Sequence, residues 1–583
     1  MQVAAEGRGP LLQDGAAYDV AVIGAGGAGL AAALFAALNG QKVLLLESTS
    51  LVGGTTALSA GSVWIPGTRH AASVASGSHA DTLAEAVRYL DAAVGRHSDP
   101  ALRQAFLTQG PEAIDVLETR TEVRFRPYPR HPDYLAALPG ATLAGRVLEP
   151  LPFDGRLLGN LLPLLRPPLP EFTVLGGMMV DRTDIGHLLG MRRSFASLRH
   201  AASIVMRHLV DRLRHPRGTR LVMGNALVGR LLVSLAAQSV ATLALQARVR
   251  DFRQDASGAI RGLVVEQGGH RVTLQVRQGV ILATGGFSRH PEMRRTLLPG
   301  IADEWSPTAP GATGELLDIA RSVGAHWGER GHSHAFWAPV SLRTRADGTT
   351  AAFPHFVMDR AKPGVLAVDP AGERFVNEST SYHLFGLALQ ERHRSAPTIP
   401  AYLVCDARAL QAYGLGMVRP GGMGLRAALA DGYLVTGRTL AELSCRLFMD
   451  FAVLGATVAR FNQHADRGTD PDFARGTTAY ERHLGDPSAG GANPSLGRLD
   501  QGPFYALKLY PGDIGTATGL ATDDRARVLG SDGQAIAGLY AVGNDMHSVM
   551  GGVYPGPGIT LGPALVFARI AAQDAAARPG NST

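Results

Sequence analysis

The stretch YDVAVIGAGGAGLAAALFAAL, residues 18–38, decides the fold. Its first six residues predict a short buried strand and its last nine predict a helix, with the pattern GxGxxG between them. Gly24 allows a tight turn, Gly26 lets a pyrophosphate approach the backbone, and Gly29 lets the helix pack against the strand. The helix N-terminus would then face the phosphates of a bound dinucleotide.

An acidic residue follows the next predicted strand. Residues 42–46 form that strand and end at Glu47, about twenty residues after the glycines, where a carboxylate accepts hydrogen bonds from ribose hydroxyls. A GxGxxG pattern alone would be a weak signal. The full order of strand, glycine turn, helix, strand and acid predicts an α/β dinucleotide-binding unit.

Three further glycine-rich segments favour a flavin over a nicotinamide. Residues 53–62 form a small-residue loop, and the buried strands predicted at 279–283 and 538–542 each end in small residues. No second complete GxGxxG is present, so a dedicated NADPH site is not expected. The residues predicted to contact FAD are Gly24, Gly26, Gly27, Ala28, Gly29, Glu47, Gly53, Gly54, Thr55, Thr56, Ala60, Gly61, Ser62, Val249, Ala283, Thr284, Gly285, Gly543, Asn544, Gly558, Thr560 and Leu561.

The composition excludes several other classes of protein. The 583 residues carry a formal charge of +6 and include 71 glycines without a collagen-like period, so neither collagen nor global disorder is indicated. Cys405 and Cys445 are too few for a disulfide scaffold or a metal–thiolate cluster. The small charge surplus does not indicate nucleic acid. Without a signal-peptide pattern, a reducing cytoplasmic location is expected, and residues 231–247 predict a helix followed by a strand.

Three motifs carry a resemblance to a known family. They are YPGPG at residues 554–558 followed by ITLGP, ERFVNES at 373–379 with Tyr382 three residues later, and HPDY at 131–134. With these motifs the chain resembles, over nearly its whole length, the flavoproteins that include fumarate reductases and 3-ketosteroid dehydrogenases. It most specifically resembles the 3-ketosteroid Δ1-dehydrogenases. The resemblance implies FAD as cofactor and a 3-oxo-steroid as substrate.

The resemblance also implies roles for four residues. Residues matching Tyr554 and Gly558 bind the C3 carbonyl of the steroid, where two donors stabilise the charge that builds on the oxygen. Tyr382 matches the general base and Tyr134 the second tyrosine that activates it, because a phenol with a pKa near 10 is a poor base by itself. The implied reaction is a 1,2-desaturation: Tyr382 takes the C2 proton and N5 of FAD takes a hydride from C1. A quinone or similar oxidant would then accept the electrons.

Two pairs of residues in one segment invite different interpretations. Phe336 and Trp337 match an aromatic pair near the substrate in the family, so they are expected to line the steroid pocket. His332 and His334 are not expected to bind a metal, because no further ligand of suitable spacing lies nearby. No metal site is therefore predicted.

Residues 173–219 form a basic amphipathic segment, and the chain is longer here than the family that it resembles. The apolar stripe consists of Phe195, Leu198, Ala202, Val205, Leu209 and Leu213, and the adjacent basic face of Arg192, Arg199, Arg207 and Arg214. Such a helix suits an anionic membrane surface, so peripheral attachment to the cytoplasmic membrane and a sterol ketone with an intact side chain are expected. The alternative is a helix packed on its own domain with a solvated basic face.

The implied architecture is α/β: a Rossmann-like, discontinuous FAD-binding domain at 16–336 and 517–575, with an inserted α+β catalytic domain at 337–516. Alternative activities are a 3-oxo-5α-steroid 4-dehydrogenase and a fumarate-reductase-like enzyme in which Arg360 or Arg374 donates the proton to an unsaturated acid. A further alternative, of a different class, is a flavin-binding membrane protein without catalysis.

Overall fold

The computed structural model describes residues 1–5, 9–74, 81–356 and 358–578, so residues 75–80 of the predicted 16–336 segment lie outside the described residues. The strands are β1 (Gln2–Ala4), β2 (Ala17–Ile23), β3 (Val43–Leu46), β4 (Val63–Trp64), β5 (Phe125–Pro127), β6 (Val147–Pro150), β7 (Phe153–Asp154), β8 (Thr173–Val174), β9 (Met178–Met179), β10 (Arg220–Leu221), β11 (Ala241–Ala244), β12 (Ala247–Gln254), β13 (Ile260–Gln267), β14 (His270–Leu282), β15 (Ala335–Thr344), β16 (Thr350–Pro354), β17 (Val365–Val368), β18 (Ala401–Asp406), β19 (Val435–Gly437), β20 (Phe504–Thr516), β21 (Arg527–Leu529) and β22 (Ala535–Ala541). The helices are α1 (Gly27–Leu38), α2 (Ala71–Val74), α3 (Leu83–Ala93), α4 (Pro100–Arg120), α5 (Arg182–Gly190), α6 (Phe195–Arg214), α7 (Met223–Ala236), α8 (Pro291–Leu297), α9 (Glu315–Ser322), α10 (Tyr382–Ser395), α11 (Ala407–Tyr413), α12 (Leu425–Ala430), α13 (Leu440–Leu447), α14 (Phe451–Arg467), α15 (Ala479–Leu484) and α16 (Leu561–Ala577).

The predicted strand, glycine turn, helix and strand lie at the centre of the larger sheet. Within the described residues this sheet has nine strands, in the order β1–β11–β3–β2–β14–β13–β12, with β22 added to β14 and β21 to β22. The neighbouring strands β1, β11, β3, β2 and β14 pair in parallel. All four residues of β3 are buried, as expected for a parallel sheet with both faces covered. Helix α1, rich in alanine, packs against α7 and α16.

Strand β14 joins distant parts of the chain. Its first half pairs antiparallel with β13, and residues near its end pair in parallel with both β2 and β22. The buried strands predicted at 279–283 and 538–542 are therefore neighbours in one sheet. Their glycine-rich ends open at the same edge as the turn after β2, which brings three separated segments to one place.

A second sheet is built from residues 335–516. Its order is β16–β15–β20–β18–β17, with β19 also paired to β20, and every pairing is antiparallel. Helix α10 packs on β15 and β20. The prediction of a mixed α/β fold is confirmed, whereas its division into two domains stays a prediction.

The basic segment 173–219 contains α5 and α6, and its predicted stripe faces away from the protein except at Val205, which packs against Ile204 and its buried neighbours. Helix α6 buries Ala201, Ile204, His208 and Asp211 instead. Phe195 is 81% exposed and Leu213 is 84% exposed. On the basic face, Arg207 pairs with the protein, because its guanidinium contacts Asp154 at 3.0 Å and faces Asp211.

The apolar stretch at residues 231–247 is confirmed as a helix followed by a strand. It covers the end of α7 and then β11. Across the described part of the chain, every helix is too short or too polar to cross a membrane.

Candidate active site

One large cavity runs from the glycine turn after β2 to a group of buried tyrosines. We call the part around Gly24–Gly29 and Glu47 the nucleotide end, and the part around Tyr134, Tyr382 and Tyr554 the tyrosine end. The two ends are built from different kinds of groups.

Backbone geometry shapes the nucleotide end. Gly24 has a φ of 103°, which favours glycine, and a Cβ on Gly29 would overlap the carbonyl oxygen of Gly24. Gly26 differs, because a Cβ there would meet no protein atom within 4 Å and the residue lines the cavity. These surroundings agree with the roles predicted for the three glycines, which are the tight turn at Gly24, the open approach at Gly26 and the close packing at Gly29.

Side chains fix the loops around this turn. The Glu47 carboxylate accepts hydrogen bonds from Ala25 N at 3.0 Å and from Thr49 N at 2.9 Å. Thr56 Oγ1 accepts one from Gly27 N at 3.1 Å. The acid predicted to meet a ribose thus also holds the glycine turn in place.

Most of the predicted FAD-contacting residues line this single cavity. Gly29 and Gly53 do not, because Gly29 packs against the turn and Gly53 donates its N–H to the Ala25 carbonyl at 2.8 Å. The predicted residues that line the cavity are Gly24, Gly26, Gly27, Ala28, Glu47, Gly54, Thr55, Thr56, Ala60, Gly61, Ser62, Val249, Ala283, Thr284, Gly285, Gly543, Asn544, Gly558, Thr560 and Leu561.

Asp545 joins the two later glycine segments and was missed by sequence reasoning. Its buried carboxylate accepts hydrogen bonds from the Thr284 hydroxyl at 2.9 Å and from Gly286 N at 2.8 Å. The loop after β14 is thereby tied to the loop after β22. An acid directly after Gly543-Asn544, in an apolar surrounding, was the available signal.

The tyrosine end brings together three tyrosines from distant parts of the chain. The Tyr134 hydroxyl donates a hydrogen bond to the Tyr382 hydroxyl at 3.2 Å. The ring centroid of Tyr554 lies 5.1 Å from that of Tyr382 and 5.8 Å from that of Tyr134. Tyr382 is the first residue of α10, and Tyr554 precedes α16 in the YPGPG turn.

Burial controls the acidity of these phenols. It raises the pKa of Tyr382 and of Tyr134 well above 10, and neighbouring tyrosines raise both further. Burial raises the pKa of Tyr554 to about 12. Tyr554 is consequently a phenol at neutral pH and suits the role of a hydrogen-bond donor.

Gly558 lies beside Tyr554 at the cavity wall. It has a φ of 90°, and a Cβ there would overlap the carbonyl of Ser62. Its carbonyl accepts from Trp64 N at 3.2 Å and from Gly562 N at 2.8 Å, while no described residue accepts a hydrogen bond from its N–H. This N–H and the Tyr554 hydroxyl are two donors at one wall of the cavity.

The YPGPG turn is fastened to the Tyr134 loop through one carbonyl. Pro555 O accepts a hydrogen bond from Tyr134 N at 2.9 Å and another from the Tyr89 hydroxyl at 2.6 Å. Behind this loop, Asp133 binds Trp64 Nε1 at 2.8 Å and Arg146 at 2.7 Å. Tyr89 and Asp133 have no motif of their own, so the sequence could not single them out.

A buried ion-pair network supports the segment that precedes Tyr382. Glu378 contacts Arg374 at 2.7 Å and Arg475 at 2.9 Å, and Arg374 also contacts Asp470 at 2.9 Å. Burial raises the pKa of Glu378, but the charges of Arg374 and Arg475 outweigh this and hold the pKa below its ordinary value. Arg374 therefore has a structural role, because Glu378 and Asp470 hold its guanidinium.

Neither residue of the predicted aromatic pair, Phe336 and Trp337, is among the residues that line the cavity. Phe336 meets Tyr554 edge-on at 5.3 Å between centroids. Trp337 is not among the residues that line the cavity, because its indole N–H donates to Ser333 at 2.8 Å and it packs on Gly386 of α10. In the same segment, His334 pairs with the Thr518 hydroxyl at 3.0 Å and the His332 ring faces His97.

Comparison with known proteins agrees with this construction. The FAD binding domain family matches residues 19–561. A 3-oxosteroid 1-dehydrogenase from Mycolicibacterium smegmatis is 34% identical over 97% of this chain and 98% of its own length. A 4-oxocyclohex-2-ene-1-carboxylate 5-dehydrogenase from Sinomonas cyclohexanicum is 38% identical over 96% of this chain and 94% of its own length.

A solved structure shows the same fold. The crystal structure of 3-ketosteroid Δ1-dehydrogenase from Sterolibacterium denitrificans, in complex with 1,4-androstadiene-3,17-dione, has a TM-score of 0.89 and 32% identity. It covers 96% of this chain and 99% of the other chain. The chain belongs to the FAD-binding flavoproteins, in the family of the 3-ketosteroid Δ1-dehydrogenases. The predicted resemblance is confirmed, and FAD is the cofactor of this family.

The nucleotide end fits such a cofactor. Gly26 presents bare backbone to the cavity at the N-terminus of α1, where a side chain would fill open space without touching protein. Amide groups at a helix N-terminus bind phosphate oxygens.

Proposed function

We propose that this chain is an FAD-dependent 3-oxosteroid 1-dehydrogenase, which introduces a C1–C2 double bond into a 3-oxo-steroid. The observation that carries the proposal is the hydroxyl pair Tyr134–Tyr382, 3.2 Å apart, in one cavity with the two donors of Tyr554 and Gly558. A base and an oxyanion site in one cavity are what proton removal next to a ketone requires.

Each residue has a defined part in the reaction. The Tyr554 hydroxyl and the Gly558 N–H hold the C3 oxygen and stabilise its negative charge as the C2 proton leaves. Tyr382, as the phenolate, takes that proton and becomes a phenol, while the Tyr134 hydroxyl donates a hydrogen bond to the Tyr382 oxygen. FAD, when bound, supplies the hydride acceptor for C1 at N5. The buried aromatic surroundings of Tyr382, including Phe356 at 4.9 Å between centroids, exclude water from the reacting atoms.

The charges along the cavity favour a neutral ketone. Among the described residues that line it, the charged side chains are Glu47, Arg166, Arg248 and Glu315. Arg166 contacts Thr49, which binds Glu47. Arg248 follows Ala247, whose N–H binds Glu47 O at 2.9 Å, and it pairs with Glu315 at 3.4 Å, so all four belong to the nucleotide end. Beside Tyr134, burial lowers the pKa of His131 to about 4, which keeps this imidazole neutral.

A second candidate substrate is a small cyclic keto acid, favoured by the similarity to the Sinomonas cyclohexanicum enzyme. Its carboxylate would enter the tyrosine end without meeting a cationic side chain that lines the cavity, and burying an unpaired charge is costly. We therefore rank the steroid first. A 5α-steroid desaturated at C4 is a further alternative within the steroid class.

Anaerobic addition of substrate to the holoenzyme tests the proposal. 4-Androstene-3,17-dione should bleach the flavin absorbance and yield the 1,4-diene, whereas 4-oxocyclohexanecarboxylate should not. Bleaching by the keto acid alone would assign the second candidate. A 4-ene product from a 5α-steroid, without any 1,4-diene, would assign the C4 alternative. Oxidation of a reduced dye by fumarate, without dye reduction by steroid, would favour the fumarate-reductase alternative.

The electron acceptor is proposed to be a quinone or a similar oxidant. The absence of a second GxGxxG motif in the sequence supports an acceptor other than NADP. Stopped-flow mixing of substrate-reduced enzyme with a short-chain quinone or with NADP separates these acceptors, and rapid flavin reoxidation by NADP would contradict the proposal.

We further propose that segment 173–219 attaches the protein peripherally to an anionic membrane, on the cytoplasmic face. Helix α6 and its flanks expose Met191, Phe195, Leu198, Met206, Leu209, Val210 and Leu213. Arg192, Arg199 and Arg214 lie exposed among them. Exposed apolar side chains between arginines suit the boundary between headgroups and acyl chains.

Flotation with liposomes tests this attachment. The double variant Phe195→Ser/Leu213→Ser should stay in the dense fraction with vesicles containing an anionic lipid, while wild type floats. Phe448→Ser is the matched control, because Phe448 is equally exposed outside the segment. Wild type that fails to float would refute the proposal.

We keep the proposed division of the chain into a FAD-binding part at 16–336 and 517–575 and a catalytic part at 337–516. It is supported by the two sheets, whose strands come from these ranges except for β1 (Gln2–Ala4), which precedes residue 16, and the first two residues of β15.

A further inference from the structure

Arg360 is a fully buried arginine whose guanidinium has no carboxylate within salt-bridge distance among the described residues. Its donors bind backbone carbonyls instead: Nε contacts His355 O and Phe356 O at 3.1 Å, and Nη1 contacts Glu378 O and Thr380 O at 2.6 Å. Burying a charge is costly unless it is paired, so the fold retains a positive charge here at the expense of stability.

The adjacent carboxylate does not neutralise this charge. Asp359 accepts a hydrogen bond from Gly416 N at 3.0 Å and lies 2.6 Å from His355 Nδ1. Burial raises the pKa of Asp359, but His355 and the backbone donors outweigh this and lower it to about 2. Asp359 is thus an anion whose side chain is engaged by His355, and the Arg360 guanidinium remains unpaired.

Arg360 adjoins the tyrosine end from behind. One Nη2 hydrogen binds Phe356 O at 2.8 Å, next to the phenyl ring that contacts Tyr382. Burial lowers the pKa of Arg360, and the nearby hydroxyls of Tyr480, Tyr134 and Tyr382 act against this together with Asp359. An arginine nevertheless stays protonated in proteins. Its charge therefore lies among these three phenols and acts most directly on Tyr480.

Tyr480 lies between Arg360 and the catalytic pair. Its ring centroid is 4.6 Å from that of Tyr134, and its hydroxyl is buried. Burial raises the pKa of Tyr480, whereas the charge of Arg360 and hydrogen bonding towards Arg360 and Tyr134 lower it. The Tyr480 hydroxyl therefore has Arg360 on one side and Tyr134 on the other.

We propose that Arg360, acting through Tyr480, is the positive charge that stabilises the phenolate of the Tyr382–Tyr134 pair and so prepares Tyr382 to take the C2 proton. This inference rests on the proposed dehydrogenation. Tyr382 as a phenolate gains the C2 proton and becomes a phenol, the C1 hydride goes to FAD, and the phenol later returns its proton to solvent. Arg360 and Tyr480 are positioning residues, because neither is required to touch the substrate.

The surroundings give this role to Arg360 rather than to another group. The other titratable groups that face the pair are Tyr554, Tyr480, Tyr128, His131 and His383. Burial lowers the pKa of His131 to about 4 and that of His383 to about 3, so both imidazoles are neutral at the pH of turnover. Three neutral phenols and two neutral imidazoles leave Arg360 as the cation of this group.

The pH dependence of kcat, with saturating dye acceptor, tests the inference. Activity should rise with pH as the Tyr382–Tyr134 pair ionises. Arg360→Met and Tyr480→Phe should move the midpoint of this rise upward by about one pH unit and lower kcat about tenfold below the midpoint. Arg360→Lys, which keeps the charge, should move the midpoint less than Arg360→Met does. Unchanged midpoints in both Arg360→Met and Tyr480→Phe would overturn the inference.

Two further measurements make the result decisive. Ultraviolet titration of the holoenzyme without substrate reports tyrosine ionisation, and the step that Tyr382→Phe removes should shift upward in Tyr480→Phe. Because this titration needs no turnover, it separates a failure of the inference from a failure of the proposed function. Tyr480→Phe decides the matter if the Arg360 variants do not fold. Tyr540→Phe is the control, since Tyr540 lies on β22 of the other sheet, where its hydroxyl donates to Asp574 of α16 at 2.8 Å, and its loss should leave the Tyr382 step unmoved.

Discussion

The nucleotide end and the tyrosine end of the cavity achieve precision in different ways. At the nucleotide end the recognition surface is backbone, and glycines are needed because side chains would overlap neighbouring atoms or fill the cavity. At the tyrosine end the surface is side chains, which are positioned by buried hydrogen bonds and charges from distant segments. The first arrangement leaves a compact motif in the sequence. The second scatters its parts along the chain.

The largest expected effect is at the tyrosine end. Tyr382→Phe removes the proton acceptor while keeping the ring, so the rate of flavin bleaching in a single turnover should fall about 10³-fold. FAD should remain bound, because Tyr382 lies away from the glycine turn. A rate within tenfold of wild type would show that another group takes the proton.

Removing a buried charge beneath this end should mainly cost stability. Glu378→Gln leaves Arg374 and Arg475 without their shared anion, which should lower the free energy of unfolding by about 3–5 kcal/mol. The folded pKa of Glu378 is lowered, so its contribution is present above the unfolded-state pKa and is lost as pH falls through the folded value. The difference in melting temperature from wild type should therefore shrink below about pH 4. A constant difference down to pH 3 would contradict the assignment.

At the nucleotide end a single side chain should weaken cofactor binding without unfolding the chain. Gly26→Val projects into open cavity, so FAD affinity should fall at least about 100-fold, which corresponds to about 2.7 kcal/mol. The ratio of flavin to protein absorbance after gel filtration measures this. Gly186→Ala is the control, because its Cβ would also meet no atom but lies outside the cavity. Full flavin retention in Gly26→Val would place the pyrophosphate elsewhere.

The smallest effect is expected at the link between the Tyr134 loop and the YPGPG turn. Tyr89→Phe deletes the hydroxyl that binds Pro555 O, at a cost of about 1 kcal/mol, and should lower kcat only a few-fold. Thermal unfolding and steady-state kinetics measure the two effects. A loss as large as that of Tyr382→Phe would make Tyr89 part of the chemistry.

The nucleotide end could be predicted from local sequence pattern, whereas the tyrosine end could not. The strand, turn and helix at residues 18–38, the acid at 47 and the returning strands follow from local pattern, and the structure contains all of them. Tyr134, Tyr382 and Tyr554 were reached through resemblance, since an isolated tyrosine carries no local signal. Tyr89, Tyr480 and the Glu378 network could not be predicted, because their partners lie far away in sequence and are set by tertiary packing. Asp545 was missed although it directly follows Gly543-Asn544.

The outer surface shows the same limit. Periodicity identified the apolar stripe of α6 correctly as a stripe, but an amphipathic pattern does not reveal which face meets the protein. The structure turns Ala201 and Ile204 inward and leaves Phe195 and Leu213 outside. The ion pair of Arg207 could not be predicted for the same reason, because its partner Asp154 is remote in sequence.

The Asp545 clamp has a consequence for biosynthesis. Strand β22 occupies the place beside β14, and Asp545 closes the loop after β14, yet both lie far along the chain from the Gly24–Gly29 turn. A nascent chain that has already made its glycine turn still has an open sheet edge and an unsecured Thr284 loop. The cavity can therefore be completed only after β22 and Asp545 have been synthesised and have packed against β14.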